Sequence, residues 1–225
     1  VRDLVKFDVE RRELFIQTGG RVDGRDPLYR DLARVNIDTG ELSTVISSDH
    51  EYVALAPTNF TLDLMKEFDL ELSNDVCAIS HNGEFAVVTR SRADEAPVSL
   101  LVDRTGREIM DVEVADMSGL PENWQWPEPV KMVAADGETE IYGQLYKPSD
   151  FSPEISYPVI DMAFCNPEYT FLSQGSFTNG ILLGMPYFNA AALAELGFIV
   201  VQIDGRGVAF RDKAFQDQSY GWTVT

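Results

Sequence analysis

Cysteine is nearly absent from this chain of 225 residues, which has only Cys77 and Cys165. They are far apart and neither has a Cys-x-x-Cys companion, so a disulfide framework and the usual thiolate zinc or redox motifs are excluded. Cys77, within Val76-Cys-Ala-Ile79, reads as a buried, inert thiol. Histidine is equally scarce. His50 follows Ser47-Ser-Asp49 in a turn and His81 lies in the Ser80-His-Asn-Gly83 turn, and neither is expected to act as a catalytic base. No cluster of His, Cys or carboxylates has metal-ligand spacing, so neither a metal nor a cofactor is expected.

Long apolar runs are also missing. The longest are strand-sized, such as Phe198-Ile-Val-Val201, far short of the roughly 20 residues of a membrane-spanning helix. No basic start followed by an apolar stretch marks a signal peptide. Basic residues are few, 18 Lys and Arg against 37 Asp and Glu, for a net charge of −19. The acids run through the whole chain, with 26 against 13 basic residues up to and including Glu128, and 11 against 5 beyond it. Such a surface lacks the clustered cations that neutralise phosphates, so nucleic acid is not an expected partner. The compartment stays open.

Sequence fingerprints of common enzymes are missing too. Gly205 and Gly207 lack the third glycine of a dinucleotide site, and no Walker A motif occurs. The nucleophile elbow G-x-S-x-G does not occur either. Ser176, in Gly175-Ser-Phe-Thr-Asn-Gly180, has the wrong spacing for one. No catalytic residue is therefore assigned within these 225 residues.

What is present is a change of pattern partway along the chain. Up to about Met117, short segments rich in β-branched and aromatic residues alternate with turns. Leu14-Phe-Ile16, Val53-Ala-Leu55, Glu84-Phe-Ala-Val-Val88 and Val98-Ser-Leu-Leu-Val102 read as strands. Asp38-Thr-Gly40, Asn82-Gly83 and Arg104-Thr-Gly106 supply residues suited to positive φ in hairpin turns. Such spacing fits a sandwich, a barrel or propeller blades. Leu120 to Pro129 carries three prolines and two tryptophans and reads as a linker, with a boundary near Glu128.

A hairpin then pairs Val130–Val133 with Glu140–Tyr146 around Asp136-Gly137. Tyr157-Pro-Val-Ile-Asp-Met-Ala-Phe164 reads as a strand. Asn189 is placed to cap a helix through Ala190 to Leu196, ended by Gly197. Phe198–Ile203 reads as a fully buried parallel strand. Strand, helix, strand is the core of an α/β sheet. Its C-terminal edge, where open α/β sheets bind ligands, falls at Asp204-Gly-Arg-Gly207. Asp204 and Arg206 are expected to pair with neighbours and brace that loop.

Several of these segments, in order, resemble the prolyl oligopeptidase family in its dipeptidyl peptidase IV-like branch. Asp26 to Gly40 resembles a propeller-blade segment. Trp124-Gln-Trp-Pro-Glu-Pro-Val130, Ala134-Ala-Asp-Gly137 and Ile141-Tyr-Gly-Gln-Leu-Tyr-Lys-Pro148 resemble the crossing from propeller to hydrolase domain. The most specific stretch runs from Leu193 to Gly207, followed by Lys213-Ala-Phe-Gln-Asp217 and Ser219-Tyr-Gly221.

The resemblance implies a mixed fold. Residues 1–127 would be the last blades of a β-propeller, and residues 128–225 the N-terminal part of an α/β-hydrolase sheet that stops before the nucleophile. It implies a Ser-Asp-His peptidase acting on short peptides, often after proline, of which this chain is a central fragment, inactive alone. Cut sheets leave unpaired edges, so self-association of the isolated chain is expected. One family site position falls inside the chain. Relatives carry an oxyanion-stabilising Tyr in a Tyr-x-Gly-Pro turn, and here the turn reads Phe164-Cys-Asn-Pro167. Phe164 has no hydroxyl to donate, which implies a weakened or inactive site or a substitute such as Tyr169. A non-catalytic binding relative and a carboxylesterase-type hydrolase are the alternative readings, and the β-rich half speaks against the esterase.

Overall fold

The computed structural model describes residues 1–54, 77–164, 170–172, 174–177 and 184–219, and no side chain is described for Phe164. The described residues are mostly β-sheet with few helices, and they form two compact units. The first comprises residues 1–21, 29–90 and 98–114, the second residues 22–28, 91–97 and 115–225.

The first unit holds two four-stranded sheets. In one, β1 (Asp3–Asp8), β2 (Glu13–Gly19), β3 (Arg30–Asn36) and β4 (Leu42–Ile46) run in chain order, each antiparallel to the next. In the other, β5 (Glu51–Val53), β6 (Phe85–Arg92), β7 (Glu95–Asp103) and β8 (Glu108–Val114) are neighbours in the same order. Short turns join β3 to β4 and β7 to β8, and Gly40, Gly83 and Gly106 all have positive φ as the turn motifs require. The sheets share one core, in which Phe15, Leu32, Val88, Leu100 and Val102 are buried. Each such side chain contributes about 1.5–3 kcal/mol when removed from water. Buried Glu51 accepts from the backbone N–H and guanidinium of Arg30, and the Gln17 amide donates to the Tyr52 carbonyl at 2.7 Å. Cys77 departs from its expected burial. It is exposed, its thiol 3.8 Å from the Val5 carbonyl, because it precedes the strand-forming residues rather than joining them.

The second unit is built on a mixed sheet of β9 (Glu128–Val133), β10 (Glu140–Tyr146), β11 (Val159–Phe164) and β12 (Ile199–Asp204), in the order β11-β12-β10-β9. The β9–β10 hairpin turns through Gly137 at φ 77°, where the Asp-Gly pair places it. Strands β11 and β12 are parallel neighbours joined through helix α1 (Met185–Glu195). The helix starts at Met185, five residues before the expected Ala190. Gly184 at φ 77° precedes it and Pro186 fits the first turn, so Asn189 lies exposed inside the helix and caps nothing. Gly197, at φ 94°, ends it.

Tyr187, Ala190 and Ala194 of α1 pack on Val200 and Tyr146. Strand β12 is not buried throughout, as its apolar run suggests. Val200, Gln202 and Asp204 are buried, whereas Ile199, Val201 and Ile203 are half-buried. Gln144 and Gln202 are register partners within the sheet, and both are buried. The Gln202 amide nitrogen donates to the Pro186 carbonyl at 2.7 Å. The Tyr146 hydroxyl donates to the Gln144 side-chain oxygen at 2.8 Å. The tryptophans of the proline-rich stretch pack edge-on to each other, ring centroids 6.4 Å apart, and on Phe177. Among the described residues, no helix is long and apolar enough to cross a membrane.

Candidate functional site

The last register pair of β11 and β12 sets Phe164 beside Asp204, so both parallel strands end together at one edge of the sheet. On the other side of β12, Asp204 pairs with Tyr142 of β10, and Tyr142 in turn pairs with Lys131 of β9. A single row across four strands thus carries Phe164, Asp204, Tyr142 and Lys131. The turn that leaves β11, residues 165–169 with the candidate substitute Tyr169, lies outside the described residues.

Asp204 is 2% exposed. Its Oδ1 accepts the Phe171 amide at 2.8 Å and its Oδ2 the Leu172 amide at 3.3 Å. Burial pushes its carboxyl up to about 6 against the ordinary 3.8, the two amides pull it back down, and the negative charge of Asp26 adds to the rise. Arg206, two residues on, makes a 3.0 Å ion pair with Asp136 in the β9–β10 turn. Asp136 is held well below the usual carboxylate range, first by the Thr139 hydroxyl, then by the amides of Thr139 and Glu138 and by Arg206. Asp204 and Arg206, two residues apart, therefore bind different parts of the unit. Beyond them Gly207 is at φ 88°, where a side chain would lie 2.3 Å from Ser219 Cβ. The Arg211 guanidinium stacks 4.1 Å over Phe215 and donates to the Glu140 carbonyl at 2.7 Å.

The stability of the second unit should respond to Asp204. Because its folded pKa lies above the unfolded value of 3.8, the unit gains stability from holding the proton below about pH 4. That gain is lost as pH rises through about 6. The stability of the parent chain relative to Asp204→Asn should therefore fall by on the order of 3 kcal/mol across this window. Urea titrations of both proteins at pH 4, 5, 6 and 7 measure it, and a constant difference would show that the carboxyl is not raised.

The other candidates are placed elsewhere. Ser176 is fully buried, its hydroxyl donating to the Glu95 carbonyl at 2.6 Å and its amide to the Ser91 hydroxyl at 3.1 Å. It is no accessible nucleophile. His50 Nδ1 lies 2.8 Å from the Ser48 hydroxyl in the first unit, and His81 is exposed. The partners of Asp204 were invisible in the sequence, because Phe171, Leu172 and Asp26 carry no motif that points to it.

No family model matches the chain. Dipeptidyl peptidase 8 of Mus musculus and of Homo sapiens are each 33% identical to it over 103 residues, 46% of this chain and 11% of each relative. A crystallised candidate dipeptidyl aminopeptidase IV from Bacteroides ovatus superposes with a TM-score of 0.60 at 20% identity. That match covers 96% of this chain and 26% of the other. The chain thus spans only a minor part of the length of the proteins it resembles. These likenesses support a relationship to the prolyl oligopeptidase family of dipeptidyl peptidase IV-like proteins.

Proposed function

We propose that this chain is part of a serine-type peptidase acting on short peptides, with residues 1–127 forming propeller blades and residues 128–225 opening an α/β-hydrolase sheet. The observation that carries this reading is the order of elements in one chain. Two four-stranded sheets are followed by a β11–α1–β12 unit whose parallel strands end together at Phe164 and Asp204. That edge is where α/β enzymes assemble their sites. The nucleophile and its base belong to sequence beyond these residues, since an α/β-hydrolase runs its triad in the order Ser, acid, His after an elbow that these residues lack.

Residues 1–225 alone should neither hydrolyse proline-containing chromogenic dipeptides nor react with a fluorophosphonate serine probe. Mass spectrometry of the treated chain provides the check. Stoichiometric labelling of any serine would overturn the assignment of the triad to other sequence. A non-catalytic binding role is the second reading, and Phe164 favours it, because a phenyl ring offers no hydrogen bond to an oxyanion.

A further inference from the structure

One carboxylate at the sheet edge accepts two successive backbone amides from a segment 32–33 residues earlier in the chain. Two amides converging on one carboxylate fix both the position and the orientation of the backbone that carries them. Among the described residues Asp204 has no ion pair with a Lys or Arg, although it is 2% exposed. A buried carboxylate compensated only by amides is a costly way to hold a loop, which an amide or apolar side chain would hold more cheaply. Carboxylates kept at such cost cluster where geometry has to be exact to within a fraction of an ångström.

We infer that Asp204 is a positioning residue: its carboxylate pins residues 171 and 172 at the sheet edge, and so fixes where the chain leaving Phe164 returns. The consequence for catalysis rests on the peptidase reading, in which Phe164 stands at the oxyanion position. Asp204 touches no substrate in this scheme and acts through the backbone it holds. The charged and titratable groups that face it are Asp26, in residues 22–28, and Tyr142, its partner on β10. Tyr142 is itself pushed up by burial, so it stays neutral while Asp204 titrates.

The test begins with the parent chain and needs no variant. In a pH titration followed by amide NMR, the Phe171 and Leu172 protons should shift together, with one midpoint near 6. Resonances that stay still, or titrate with different midpoints, overturn the pinning. Amide exchange then compares Asp204→Asn and Asp204→Ala. Exchange at 171 and 172 should accelerate by about tenfold or more in Asp204→Ala, and less in Asp204→Asn, which keeps one acceptor, with β12 unchanged in both. Equal exchange in folded variants overturns the pinning, and the titration decides alone if neither variant folds.

The catalytic arm uses the longer protein that contains the elbow. Asp204→Asn should lower kcat by about tenfold or more with KM within about twofold, as a displaced reacting geometry does. A loss confined to KM, or an unchanged kcat, overturns the positioning role. Failure of the peptidase reading is separate, because that protein would then take no fluorophosphonate label while the amides of Phe171 and Leu172 still titrate.

Discussion

Alanine at Gly106 should unfold the first unit or leave it barely stable. Gly106 turns the chain between β7 and β8 at φ 87°, and a Cβ built there lies 1.6 Å from the Val45 carbonyl oxygen. The obstacle is backbone of β4, so no side-chain rotation relieves it. The positive φ alone costs roughly 1–2 kcal/mol for an L-residue, and the overlap adds about 1–3 kcal/mol or more. Together they amount to a large share of the roughly 5–15 kcal/mol that holds a typical domain folded. Gly40 is the control. It has φ 71° with nothing within 4 Å of the added carbon, so Gly40→Ala should cost only the backbone term of about 1 kcal/mol. Urea unfolding followed by circular dichroism compares the two. Equal midpoints would mean that β4 does not approach this turn.

On the proposed peptidase reading, tyrosine at Phe164 should accelerate a longer protein that contains the nucleophile elbow. If the sheet edge supplies the oxyanion position and no other group has replaced the missing donor, Phe164→Tyr adds one hydroxyl where charge develops. A single oxyanion donor is worth about 10²–10³ in kcat, and a rise of up to about 10²-fold is expected, with KM little changed. The strand register puts the backbone of residue 164 next to Asp204 at that edge. Steady-state kinetics on a proline-containing dipeptide substrate are the measurement. An unchanged kcat would assign the role to another donor such as Tyr169, or remove residue 164 from the site.

The turns and the change of pattern were legible in the sequence because glycine and proline act locally. Gly40, Gly83, Gly106, Gly137 and Gly197 all take positive φ where their motifs place them. The β9–β10 hairpin follows from its Asp-Gly turn. Faces were harder to read. Phe85-Ala-Val-Val88 is uniformly apolar, yet Ala86 and Val88 are buried while Phe85 and Val87 are exposed, and a run without polar residues does not show which side faces the core. The α1 boundary was misjudged because Asn189 is a good cap in isolation, whereas Gly184 and Pro186 start the helix earlier. At the candidate site the motif Asp204-Gly-Arg-Gly207 was visible but its partners were not. Phe171, Leu172 and Asp136 reach it through tertiary structure, which no local spacing encodes.

The paired glutamines inside the mixed sheet act as a vernier on β12. An apolar strand face is indifferent to sliding by two residues, since one aliphatic side chain then replaces another. Gln202 is not indifferent, because only in the observed register does its amide meet the Pro186 carbonyl at the start of α1. A two-residue slip would leave that buried amide unpaired, at a cost of about 1–3 kcal/mol. It would also move Asp204 away from the amides of 171 and 172. Gln144 and Gln202, buried beside Tyr146 and Val200, thus select one alignment of β12 and, with it, the point in space where the strand's last carboxylate sits.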